Sequence, residues 1–206
     1  MRRIKVFLNM SMSRKLQYIG FLWNRLVTNF VYRYRLNTCG KGCTVASPLF
    51  WTPEFISLGN NVLIWPGFRI EGVASYAGDK YMPQIIIGDN VTIQQRLHMT
   101  AATRVEIGQG TTILFDVTIT DIDHGYEKMG VAPYDQPINV HPTYIGRNCL
   151  ISAGAKILAG TELGSHCVVG ANAVVRGKYP EGSVLAGNPA RVVRKYDFVS
   201  DCWIKP

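Results

Sequence analysis

The sequence predicts an all-β solenoid, short strands stacked coil upon coil, with a helix placed before it. Three observations carry this. Aliphatic residues recur every six positions at Ile145, Ile151, Ile157, Leu163, Val169 and Val175. Small residues stand four positions after the first five of them, at Cys149, Ala155, Thr161, Cys167 and Ala173. Neither a helix nor an alternating strand has period six, and a fixed short period marks repeats that bury their apolar residues only by stacking on one another. The third observation is a basic N-terminal stretch without any of this rhythm.

That stretch, residues 1–40, comes first. Apolar residues at Leu16, Ile19, Trp23, Leu26, Val27, Phe30, Val31 and Tyr34 fall at three- and four-residue steps, which predicts an amphipathic helix over 13–36. Arg2, Arg3, Lys5, Arg14, Lys15, Arg25, Arg33, Arg35 and Lys41 precede the first acidic residue, Glu54. A basic, aromatic-rich helix without acids has the composition of an interfacial membrane helix. Docking of its apolar face on the open end of the solenoid is the other reading, since exposed strand edges need cover. The net charge of +8 therefore belongs to this segment, and a nucleic-acid surface on the body is not expected. Arg14, Lys15 and Arg25 interrupt every apolar run, so neither a secretory signal nor a membrane span is expected.

The body, 41–190, follows the beat through Leu58, Ile64 and Ile70, breaks over 72–86, and resumes at Ile87, Ile93 and Met99. After a two-residue slip at Val105–Glu106 it continues through Ile107, Ile113 and Ile119. A longer break spans 121–144, the clean block from Ile145 follows, and residues 191–206 form a C-terminal tail. Gly59, Gly88, Gly108, Gly146, Gly164 and Gly170 each follow an aliphatic position, where a turn between strands would want glycine. Cys149 and Cys167 lie three repeats apart and read as small hydrophobes in one stacked slot, and Cys39 and Cys43 lack a second pair of zinc ligands. No metal is expected, and the cysteine usage fits a reducing, cytoplasmic location.

These blocks resemble the hexapeptide-repeat acyltransferases over about Leu58 to Arg194. TDIDHGY at 120–126, VVGANAVVRGKYPEGSV at 168–184 and AGNPARVVRKY at 186–196 carry the resemblance. With the basic N-terminal helix and short tail, the chain is most similar to lipopolysaccharide O-antigen O-acetyltransferases. The resemblance implies a left-handed parallel β-helix with three hexapeptides per coil, a homotrimer, and acetyl-CoA as acyl donor. Ser152 and Leu158 depart from the small residues frequent in the repeat, but they leave the aliphatic register intact.

In the family a histidine in the long loop is the catalytic base, and His124 is the position that matches. The chemistry asks for such a group: a sugar hydroxyl must lose its proton as it attacks a thioester, and an imidazole titrating near neutrality suits that task. Asp121 or Asp123 would fix its tautomer by accepting the other ring N–H. His98, His141 and His166 are expected on solvated surface. The family places backbone N–H groups at the thioester where Ala153 stands, and runs the pantetheine arm of coenzyme A beside small residues, here Ala153 and Ala171. Its phosphates would meet the C-terminal bases Arg176, Lys178, Arg191 and Arg194, arginine offering the better fork. The loop residues Tyr126, Glu127, Lys128, Tyr134 and Asp135 would reach over a neighbouring subunit and line a sugar pocket.

The function expected is acetyl transfer from acetyl-CoA to a sugar hydroxyl in surface polysaccharide or O-antigen assembly. It would take place in the cytoplasm or at the inner face of the cytoplasmic membrane, on an anionic surface. The alternatives are N-acetylation of a nucleotide-linked amino sugar, a zinc carbonic anhydrase-like protein, and a non-enzymatic solenoid. The carbonic anhydrase needs converging histidines of a spacing absent here, and a passive scaffold has no use for a long break carrying His124.

Overall fold

Interior aliphatic residues dictate the architecture. The computed structural model describes residues 10–205. Its strands fall into three main sheets, and the chain visits them in one rotation. From Thr38–Cys39 in the first sheet it passes to Thr44–Val45 in the second and Phe50–Trp51 in the third, then returns to the first at Ile56–Leu58. The same order holds through Lys178–Tyr179 and Ser183–Gly187. Neighbouring rounds pair in parallel.

The register puts like on like. Ile87, Ile107, Ile145 and Leu163 form one interior ladder. Ile64, Ile93, Ile113, Ile151, Val169 and Leu185 form a second. Ile70, Met99, Ile119, Ile157 and Val175 form the third. All are buried, as are Cys149, Ala155, Thr161, Cys167 and Ala173 between them. The six-residue beat is thus the spacing from one interior ladder to the next.

The repeat glycines serve a purpose other than the one expected. Gly146 needs no left-handed backbone, but a Cβ there would lie 2.5 Å from the carbonyl carbon of Gly164 in the next round. The left-handed positions lie elsewhere in the turns, at Asn90, Asn148 and His166 among others. Glycine is required because backbones of successive rounds touch.

The N-terminal helix also differs from expectation. It runs Met12–Phe30, capped by Ser11, and a short 3-10 turn at Tyr32–Tyr34 replaces its predicted last turns. Tyr32 packs edge-on against Trp51 at 4.9 Å and Leu36 is buried, so these residues close the end of the core. The helix meets the body instead through the fully buried Thr28, whose hydroxyl accepts the Val45 N–H at 2.8 Å and donates to Asn24 carbonyl at 2.7 Å. Its apolar face does not dock on the body. The expected C-terminal tail is ordered: Ala190–Asp197 and Cys202–Ile204 extend the second sheet as antiparallel strands.

Both breaks in the beat are hairpins. Residues 72–86 hold Ser75–Tyr76 against Asp79–Lys80, and residues 121–144 hold Ile122–His124 against Ile138–Val140. Each leaves the end of a third-sheet strand, Arg69–Gly72 and Thr118–Thr120, with His98–Ala101 lying between those two. The two hairpins therefore stand on either side of one strand.

Candidate active site

Alternation along the third-sheet strands sends every second residue outward. Arg69, His98 and Thr118 align in one outward row, and Glu71, Thr100 and Thr120 in the next. These rows floor a cavity of about 610 Å³. One hairpin contributes Ser75 and Tyr76 to its wall; the other contributes Ile122, His124 and Ile138, with Tyr134 from the excursion between its strands. The His124 ring packs edge-on against Tyr76 at 5.4 Å, and Tyr76 against Tyr134 at 5.5 Å.

The excursion is held from within. Gln136, almost wholly buried, donates to the carbonyls of Lys128 and Val131 at 3.1 and 2.9 Å and accepts the Lys128 N–H at 2.9 Å. That clamp fixes the position of Tyr134.

Neither aspartate partners His124. Asp121 is fully buried, and its carboxylate accepts from the backbone N–H groups of Ala102, Thr103 and Arg104 and from the Thr103 hydroxyl, at 2.7–2.8 Å. It ties down the turn of the round below. Asp123 accepts a two-pronged ion pair from Arg176 at 2.6 and 3.0 Å. No hydrogen bond to the His124 ring is formed by any described residue, so the expected orienting carboxylate is absent within one copy.

The same pair bears on Arg176. Its guanidinium is engaged by Asp123, and Lys178 is paired with Glu162 across neighbouring strands at 2.8 Å. Arg191 and Arg194 lie exposed on the strand Ala190–Asp197 without a carboxylate partner among the described residues, Arg191 reaching only the Ala190 carbonyl. Two of the four expected phosphate contacts are thus free for an anion.

Ala153 sits in the turn that enters the third sheet, a full strand away from His124, and Ala171 is one round on, where the Asn172 N–H meets the Ala153 carbonyl at 2.9 Å. The N–H groups of Ser152 and Gly154 are bonded to Val169 and Phe115, whereas that of Ala153 has no partner among the described residues. Neither alanine lines the His124 cavity.

His98 is exposed, as expected, and it also lines the cavity. Burial, and then the neighbouring Arg69 guanidinium, push its imidazole below the ordinary value of 6.5, while Glu71 opposes and Lys156 adds to the fall. Tyr76 was not singled out in the sequence at all. The available signal was that both breaks follow third-sheet positions, one at Ile70 and the other at Ile119, and so emerge on one side.

Comparisons with known proteins bear on this geometry. Residues 142–177 match the family described as bacterial transferase hexapeptide (six repeats). Over 157 residues the chain is 31% identical to WbbJ of Escherichia coli (strain K12), named as a lipopolysaccharide biosynthesis O-acetyl transferase, covering 73% of this chain and 76% of the relative. The chain belongs to the hexapeptide-repeat transferase family. It is an acetyltransferase, an enzyme of the acyltransferase class. Among solved structures, the polysialic acid O-acetyltransferase OatWY superposes with a TM-score of 0.62 at 19% identity, over 77% of this chain and 73% of the other. AntD, an N-acyltransferase from Bacillus cereus solved with dTDP and 3-hydroxybutyryl-CoA, gives 0.56 at 17% identity, over 82% and 87%. At these identities the two structures share the fold.

Proposed function

We propose that this acetyltransferase carries an acetyl group from acetyl-CoA to a sugar hydroxyl in the synthesis of a surface polysaccharide or O-antigen, with His124 as general base. The three sheets are read as the faces of a left-handed parallel β-helix, and the enzyme as a homotrimer in the cytoplasm. The observation that carries the proposal is His124 at the wall of a cavity floored by Thr100, Thr118, Thr120, Glu71 and Arg69, a polar floor suited to a hydroxyl-rich ligand. The name of the E. coli relative supports the substrate class.

Acetyl-CoA supplies the acyl group already activated as a thioester. The free N–H of Ala153, beside the small residues of its turn, offers a donor to the carbonyl oxygen on which charge develops. Arg191 and Arg194 offer the anionic end of the donor two guanidiniums that no carboxylate holds. The His124 imidazole takes the hydroxyl proton as the acceptor oxygen bonds to the acetyl carbon, while the contact with Tyr76 sets the plane of the ring. The C–S bond then breaks and the imidazolium returns the proton to the departing coenzyme A thiolate, leaving the acetyl ester and free thiol. Because Ala153 precedes one strand of the third sheet and His124 follows its neighbour, the two lie at opposite strand ends, and assembly as a trimer would bring the donor turn of one copy to the acceptor cavity of another.

Thiol release from acetyl-CoA with candidate sugars tests this. His124→Ala should lower kcat by about two orders of magnitude or more, with acetyl-CoA binding intact. Arg194→Ala should raise KM for acetyl-CoA and leave kcat near wild type. Turnover that survives His124→Ala on a sugar hydroxyl refutes the base assignment, and turnover that survives only on an amino sugar favours N-acetylation, since a deprotonated amine needs no base.

A further inference from the structure

The helix Met12–Phe30 presents its apolar stripe to solvent. Met12, Leu16, Ile19, Trp23, Leu26 and Phe30 are 71, 62, 52, 65, 51 and 72% exposed. Thr28, the residue that seats the helix on the body, is about 140° around the axis from Trp23 at 3.6 residues per turn. The stripe therefore points away from the body it might have covered. A helix of this length gains little stability in water by itself, and a row of six large apolar side chains is a surface waiting for contact.

Charge decides between the occupants. The helix contains Arg14, Lys15 and Arg25 and no acid, Arg33 and Arg35 follow it, and the first acid of the chain is Glu54. A second helix of the same kind would bring like charges together, and beyond Lys41 the body has nearly balanced charge. An anionic lipid surface complements both the stripe and the bases. Among the described residues no helix is long and apolar enough to cross a membrane, so the fit is to a helix lying in the interface.

We propose that Met12–Phe30 is a membrane-surface anchor, its Trp23-centred stripe seated in the headgroup boundary of an anionic bilayer and its bases against the lipid phosphates. The helix holds the acetyltransferase body at the membrane through Thr28 and Val45. This inference stands whatever the acceptor is.

The test uses the full chain with vesicles of phosphatidylcholine alone and of phosphatidylcholine with one-quarter phosphatidylglycerol. The protein should sediment with the second and at least tenfold less with the first, and 1 M salt should release most of it. A Leu16→Glu/Trp23→Glu/Phe30→Glu variant should lose at least tenfold in vesicle binding, with unchanged circular dichroism, oligomeric mass and thiol-release activity in solution. Failure of the wild type to bind anionic vesicles overturns the proposal, as does equal binding to both compositions. A variant whose oligomeric mass falls would show the stripe to be an interface between copies and would overturn it equally. If the triple variant does not fold, Arg14→Glu/Arg25→Glu serves in its place: unchanged vesicle binding then refutes the anionic contact.

Discussion

Removing the Asp121 carboxylate should unfold the protein sooner before it harms the chemistry. Asp121→Ala deprives four donors of one acceptor: the N–H groups of Ala102, Thr103 and Arg104 and the Thr103 hydroxyl. Ala102 is fully buried, so its N–H bears a desolvation cost of about 1–3 kcal/mol when left unpaired. Thr103 and Arg104 are only half-buried and can turn to water, each losing about 1 kcal/mol. The expected loss is about 3–5 kcal/mol, and less for Asp121→Asn, which keeps one acceptor oxygen. Urea unfolding at fixed protein concentration measures it, since an oligomer's apparent stability depends on concentration. Amide exchange at Ala102–Arg104 should speed up selectively, while kcat of the folded fraction falls little. A variant as stable as wild type, or one that stays stable but loses turnover, would refute the structural role and return Asp121 to the catalytic group.

Three further outcomes are expected. Asp123→Ala and Arg176→Ala should each lower kcat about tenfold or more by freeing the strand that carries His124, and the reversed pair Asp123→Arg/Arg176→Asp should recover part of it; a raised acetyl-CoA KM with intact kcat would instead make Arg176 a phosphate contact. Because the folded protein holds His98 below 6.5, the unfolded chain takes up a proton that the folded chain refuses as pH falls past that value. Stability present above pH 6.5 should therefore decline below it, and urea midpoints of His98→Gln at pH 7.5 and 5.5 should differ less than those of wild type; equal slopes would remove His98 from this role. Gly146→Ala drives a methyl into the Gly164 backbone and should cost about 2–3 kcal/mol or more, read by thermal unfolding, and a neutral result would show that the rounds separate freely.

The core was legible because each repeat is a local statement. Ile145, Ile151 and Ile157 each turn inward for the same reason as their neighbours, so spacing alone places them in three ladders. His124 was legible through a motif in a break of that spacing. The environment of Asp121, Asp123 and Arg176 was not, because their partners lie 17 to 53 residues away across rounds. Asp123, beside His124 on its strand, alternates away from it, and Asp121, which precedes that strand, is held by the backbone of Ala102–Arg104, which is why neither aspartate meets the imidazole.

By itself the sequence determined which residues point inward, where the beat stops, and that the N-terminal helix is basic and two-faced. Only the tertiary structure decided that the two breaks enclose one cavity, that His98 and Tyr76 join His124 there, and that the helix turns its apolar stripe outward from a single buried threonine. Periodicity records how a chain packs against its own next repeat. The distances between breaks, and the direction a helix faces, are set by contacts far apart in sequence, which no local pattern records.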